Sequence, residues 1–167
     1  MNAGMTAEVE LTEPVPNEDL AICAECGGEC CKHIPGLCHP KDFKDFDADL
    51  ETALRSGDYQ IDWWEGDPDI YYVRPTVVDA IGKLFHGSWG AACTLLTDNG
   101  CRLVWSDRPF ACRAIVPSAT CGAADGMDSM ALKKRLVDTW RPRRMQKALI
   151  AVAARIDPER AEALGAE

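Results

Sequence analysis

The sequence predicts a small α+β protein: a cysteine-rich, metal-stabilised domain with short hairpins and amphipathic helices. Three observations carry that prediction. Nine of the 167 residues are cysteine, several times ordinary usage. Two aromatic and β-branched runs, 59–64 and 70–75, lie either side of a turn-forming "EGDPD". Apolar residues recur at helical spacing near residue 50 and again over 132–156. A chain of this length is expected to form one domain. We divide it into an acidic tail (1–20), a cysteine-cluster domain (21–125) and a basic helical segment (126–167) packed on that domain.

The tail carries Glu8, Glu10, Glu13, Glu18 and Asp19 with Pro14 and Pro16 and no basic residue, which predicts a flexible segment. In "CAECGGECCKHIPGLCHP", Gly27, Gly28, Pro35, Gly36 and Pro40 supply the turns of a metal loop. Phe46, Leu50 and Leu54 repeat every fourth position before Gly57, the pattern of a short amphipathic helix closed by glycine. The runs "YQIDWW" and "IYYVRP" predict a hairpin stopped by Pro75. Val77, Val78, Ile81, Leu84 and Phe85 predict one face of a second helix, ended by the Gly87 to Gly90 turn, with His86 at its end. Asn99-Gly100 predicts a tight turn flanked by Cys93 and Cys101. Leu132, Leu136, Val137 and Trp140, then Met145, Leu149, Val152 and Ile156, predict two helical stretches interrupted at Pro142. Asp157-Pro158 predicts the cap and first position of a last helix.

Composition narrows the function. With 18 basic and 27 acidic residues the net charge is −9, which argues against a general nucleic-acid coat. The longest uncharged apolar stretch, Ala148 to Ala154, is far shorter than the roughly 20 residues that span a bilayer. The N-terminus has no basic, apolar export pattern. A soluble, cytoplasmic protein without a membrane partner is the expectation. No Ser-His-Asp or Cys-His pairing and no glycine-rich phosphate loop is readable, so nothing points to a self-contained hydrolase or kinase.

The cysteines therefore hold the chemistry. Their number is odd, Cys30 and Cys31 are adjacent, and no export signal precedes them, which argues for reduced thiolates on metal over disulfides. The spacing is Cys23-x2-Cys26-x3-Cys30-Cys31-x6-Cys38, then Cys93-x7-Cys101-x10-Cys112-x8-Cys121. A tetrahedral zinc site or a cubane iron-sulfur cluster each takes about four thiolates. Cys23, Cys26, Cys30, Cys31, Cys93, Cys101, Cys112 and Cys121 are the candidate ligands, enough for two centres or for one with spare thiols, and Cys38 is left over. In extended backbone Cys30 and Cys31 would face opposite sides, which permits two centres.

The ordered set "CAECGGECC" at 23–31 and "CTLLTDNGCRLVWSDRPFACR" at 93–113 resembles the zinc- or iron-chelating cysteine-cluster proteins, a family named for a CxxCxxCC motif and also called YkgJ-like. The likeness covers roughly residues 23 to 121. It departs from the pattern at Gly27-Gly28-Glu29, where three residues stand between the second and third cysteines. The resemblance implies a bound zinc ion or iron-sulfur cluster and no single activity. All-cysteine ligation favours iron-sulfur; histidines at 33, 39 and 86 keep Zn2+ open.

Arg108 and Arg113, beside Cys112, are candidates to donate to sulfur and offset thiolate charge. His33 and His39 flank Cys38 in a loop and are expected to be solvated more than ligating. Trp63, Trp64, Tyr71 and Tyr72 are expected to pack across the hairpin. Residues 131–156 hold eight Lys or Arg and one acid, a local +7 that suits an acidic protein partner or a nucleic-acid backbone, or answers the chain's own acidic body. Three roles follow: a redox or accessory iron-sulfur protein, a zinc-structured module binding a partner through its basic helices, or a cluster-dependent enzyme that modifies a peptide or small molecule.

Overall fold

Asp45 opens the first helix. Its carboxylate accepts the Ala48 N–H at 3.2 Å, α1 runs over Phe46–Ser56, and Gly57 ends it at φ 80°, a left-handed conformation that costs glycine little. In the computed structural model, which describes residues 11, 29–33, 35–64, 67–87, 90–114 and 127–165, α1 leads directly into the predicted hairpin. The acidic tail, apart from Leu11, lies outside the described residues.

Strands β1 (Tyr59–Trp64) and β2 (Asp67–Pro75) pair antiparallel, with Gln60 opposite Arg74, Ile61 opposite Val73 and Trp63 opposite Tyr71. Ile61 and Val73 are fully buried, and the aromatic residues of the hairpin meet other parts of the chain: Tyr71 meets Phe85 edge-on at 6.4 Å, and the Lys133 ammonium lies over the rings of Trp64 and Tyr72.

The hairpin also buries an ion pair. Arg74 Nε meets Asp62 at 2.7 Å with both side chains at most 3% exposed. The other guanidinium nitrogens donate to Gln60 Oε1, Pro75 O and His86 O. Every donor nitrogen of Arg74 is thus bonded, which is what burying its charge requires.

That network overturns the helix expected over Val77 to Phe85. Only Val78–Ala80 forms a 3-10 turn; Ile81 and Gly82 make a further turn, and the segment is tied down by the bridges Val77↔Cys93 and Ile61↔Phe85. Gln60 Nε2 takes the Ala80 and Lys83 carbonyls, and Arg74 takes that of His86, so acceptors that a helix would need serve the hairpin instead. Gly82 adopts φ 86°, and Ile81 is 70% exposed, so the apolar face inferred from spacing does not exist. His86 accordingly ends no helix; its N–H donates to Ile61 O at 3.0 Å.

The short strands β3 (Leu96–Thr97) and β4 (Gly100–Cys101) form the second hairpin. Its turn residues are Asp98 and Asn99, one position earlier than expected. Gly100 pairs with Thr97 and takes the positive φ of 96°, as in a turn followed by a glycine bulge.

Pro109 precedes the short helix α2 (Phe110–Ala114), whose first N–H bonds Asp42 Oδ2 at 2.9 Å. Helices α3 (Met127–Trp140) and α4 (Arg143–Ile156) are separated at Arg141-Pro142 as predicted. Asp157 then accepts the Arg160 N–H and Pro158 opens α5 (Pro158–Gly165). One core joins these parts: Leu37, Leu50, Ile61, Tyr72 and Phe110 pack with Leu136, Trp140, Leu149 and Val152. Each fully buried Leu or Val contributes about 1.5–3 kcal/mol of transfer free energy. The fold is α+β, with two two-stranded antiparallel sheets among the described residues. No described helix is long and apolar enough to cross a membrane.

Candidate metal centre

Three separated segments meet at the cysteines. The Cys93 N–H donates to Cys31 O at 2.8 Å, joining the first cluster to the second. Cys93 is held from the other side by its bridge to Val77, with Thr94 N donating to Thr76 O at 2.9 Å. Cys38 is pinned at both backbone groups: its N–H donates to Val73 O at 3.0 Å, and its carbonyl accepts Trp140 Nε1 at 2.9 Å. Cys112 enters on α2, which is tied to this segment by Ala111 N donating to Leu37 O at 3.1 Å. The Cys112 sulfur lies against the α-carbon of Gly36, where no side chain would fit.

The electrostatics follow the packing. Burial pushes the Cys38 thiol well up, and the charges of Asp42, Cys112 and Cys93 push the same way, so these groups share one neighbourhood. Burial also raises Cys93. The Leu95 and Leu96 amides and the Arg74 charge pull against that rise and Cys101 adds to it, and the thiol stays raised on balance. Tyr59 is pushed far above an ordinary tyrosine by burial and then by Cys38, Cys112 and Asp42.

The expected ligands fall into two groups. Cys31, Cys93, Cys101 and Cys112 lie among the described residues, as does Cys38. Cys23, Cys26 and Cys121 lie outside the described residues, and Cys30 is described in its backbone alone. Among the described residues, no three His, Cys, Asp or Glu side chains are grouped so that they could hold a metal ion. A complete centre therefore needs donors from outside that set. The backbone at Glu29–Lys32 is a 3-10 turn, in which successive residues rotate by about 120°, so the alternation of an extended chain that permitted two centres does not apply.

Cys38 was left over in the sequence count, yet its charge couples to both Cys93 and Cys112. Its place next to the Pro35-Gly36 turn was the available signal. Asp42 was also missed: one carboxylate accepts from His39 N, Phe110 N and Arg113 Nη2, each at 2.8–2.9 Å, and so fastens the cluster loop to α2. His39 caps that turn, its Nδ1 accepting the Lys41 N–H at 3.0 Å. His33 is exposed. The His86 Nδ1 is buried without a hydrogen-bond partner.

Arg113 is bonded to Asp42 and to Arg108 O and lies over the rings of Trp105 and Phe110. Arg108 Nε donates to Leu103 O at 3.1 Å. The basic helices turn part of their charge on the protein itself: Arg141 pairs with Asp67 and Asp138, and Arg155 with Glu51 and Asp47.

With this fold and site the chain stands apart: no protein-family model, no curated protein and no solved structure matches it.

Proposed function

We propose that this is a metal-binding protein that holds an iron-sulfur cluster through clustered cysteines, in a redox or accessory role. One observation carries the reading: the Cys93 N–H donates to the Cys31 carbonyl at 2.8 Å, so the two cysteine segments, far apart in sequence, meet in the fold. A thiolate is the form that ligates metal, and the charge of a bound metal would offset the burial that raises Cys93. The buried guanidinium of Arg74 favours the same ionisation. The ordered cysteine pattern and its likeness to the CxxCxxCC family support the reading from the sequence side.

Cys31, Cys93 and Cys112, joined by Cys38, would contribute from the described part, with Cys23, Cys26 and Cys30 completing the donor set. Cys101 and Cys121 remain candidates. A cluster bound there would supply one-electron chemistry. What the chain itself does is bring the two cysteine segments together and exclude water around Cys38.

Zinc in the same thiolates is the second reading, favoured by the eight Lys or Arg against one acid over residues 131–156, a charge that suits a structural module with a partner. The experiment is a series of serine substitutions on protein purified without oxygen. Cys93→Ser and Cys31→Ser are expected to abolish a broad visible absorption band, and Cys38→Ser to weaken it. A colourless wild type that unfolds with chelator supports zinc. A wild type that is colourless and indifferent to chelator overturns both.

A further inference from the structure

A cavity of about 660 Å³ opens on the side of the cysteine region formed by the His39–Lys44 loop and the Ser106–Arg113 segment, and Cys38 is part of its wall. Its volume is that of a small-molecule site. Lys41, Lys44, Arg108 and Arg113 face it against two carboxylates, Asp42 and Asp107, in a chain whose overall charge is −9. Asp42 is already committed to Arg113 at 2.8 Å, and the Arg113 side chain is only 11% exposed.

Arg108 is different. It is half-buried, its Nε is fixed by the Leu103 carbonyl, and its two terminal nitrogens meet no partner among the described residues. A guanidinium anchored at one nitrogen and free at the other two offers the parallel donors that bind an oxyanion. Phe43, Tyr59 and Phe110 give the remaining wall an apolar, largely aromatic character.

We infer that this cavity binds a small organic oxyanion, with an apolar body against Phe43, Tyr59 and Phe110 and a carboxylate or phosphate head on Arg108, assisted by Lys41 and Lys44. The inference goes beyond metal binding and rests on it only for what the ligand lies beside: such an anion would sit next to Cys38 and hence next to the proposed centre.

The test is titration of the full-length, metal-analysed protein with phenyl phosphate, benzoate and the cation benzylamine, followed by calorimetry and tryptophan fluorescence. Phenyl phosphate or benzoate is expected to bind and benzylamine not to. Arg108→Gln is expected to weaken binding at least about tenfold, a change of about 1.4 kcal/mol. Lys44→Gln, at an exposed position that folding does not need, is expected to weaken it about threefold and to flatten the salt dependence. Should Arg108→Gln fail to fold, Lys44→Gln carries the test. Binding of benzylamine as tight as that of the anions, no binding of either anion, or unchanged affinity in the folded variants overturns the inference. Metal retained without anion binding overturns the cavity alone; anion binding without metal overturns the centre alone.

Discussion

Replacing Arg74 with methionine tests whether the buried ion pair organises the scaffold under the cysteines. The side chain is 2% exposed and serves four acceptors: Asp62, Gln60, Pro75 O and His86 O. Methionine keeps much of the apolar volume and removes every donor, so the Asp62 carboxylate is left buried without its cation. Breaking a buried pair from one side costs about 3–5 kcal/mol, mostly because of the charge that stays behind. For a protein of this size each kcal/mol moves the melting point by about 2–4 °C, so a fall of roughly 6–20 °C is expected. The assay is urea denaturation at neutral pH, followed by tryptophan fluorescence, on reduced protein. In the double variant Asp62→Leu/Arg74→Met no charge remains uncompensated, and at least about 1 kcal/mol should return, the lost carbonyl partners limiting the recovery. A loss below about 1 kcal/mol in Arg74→Met, or a double variant as unstable as the sum of the two single ones, would refute the reasoning.

Other outcomes follow from the same contacts. Trp140→Phe leaves the Cys38 carbonyl without its indole donor inside the core, at an expected cost of about 1–3 kcal/mol in the same denaturation assay. Gly36→Ala puts a methyl onto the Cys112 sulfur and within 2.9 Å of the Cys112 nitrogen, so it is expected to lower metal content as well as stability. Gly57→Ala, where only the left-handed backbone resists, should cost about 1–2 kcal/mol and leave metal content unchanged. Tyr59 is expected to ionise above an ordinary tyrosine in an ultraviolet titration, because burial and nearby negative charge hold its proton. Its folded pKa is raised, so the unfolded chain releases that proton first. The stabilisation is whole below the unfolded value of about 10 and declines as pH rises past it. Tyr59→Phe should make that alkaline decline shallower.

Much of this fold is legible in local signals. Gly57 after Leu54, Pro142 between two apolar stripes and Asp157-Pro158 each act through their own backbone, so the helix boundaries they predict are found. The strands at Tyr59–Trp64 and Asp67–Pro75 carry their own β-branched and aromatic pattern. The stretch from Val77 to Phe85 failed because its spacing is helical while the Ala80 and Lys83 carbonyls are taken by Gln60 and the Leu84 carbonyl by the Ile61 N–H, residues 20 or more positions away. A signal was present: Asp62 and Arg74, opposite charges within two apolar strands, fall at diagonal positions of the hairpin.

The candidate site divides along the same line. The hairpin flanked by Cys93 and Cys101 was readable from its turn residues, although Gly100 belongs to the strand. The importance of Cys38 was not, because it depends on Trp140 and Val73, which converge on it only in the folded protein. Asp42 was invisible for a similar reason: Phe110 and Arg113, the partners that give it a role, lie far along the chain.

Metal and acid-labile sulfide content, determined on protein purified without oxygen alongside Cys93→Ser, tests the central claim most directly. The account predicts iron and sulfide in equal amounts in the wild type, lost together in the variant. Zinc without sulfide would keep the thiolate centre and remove the cluster. A folded wild type with neither metal above background would contradict the account.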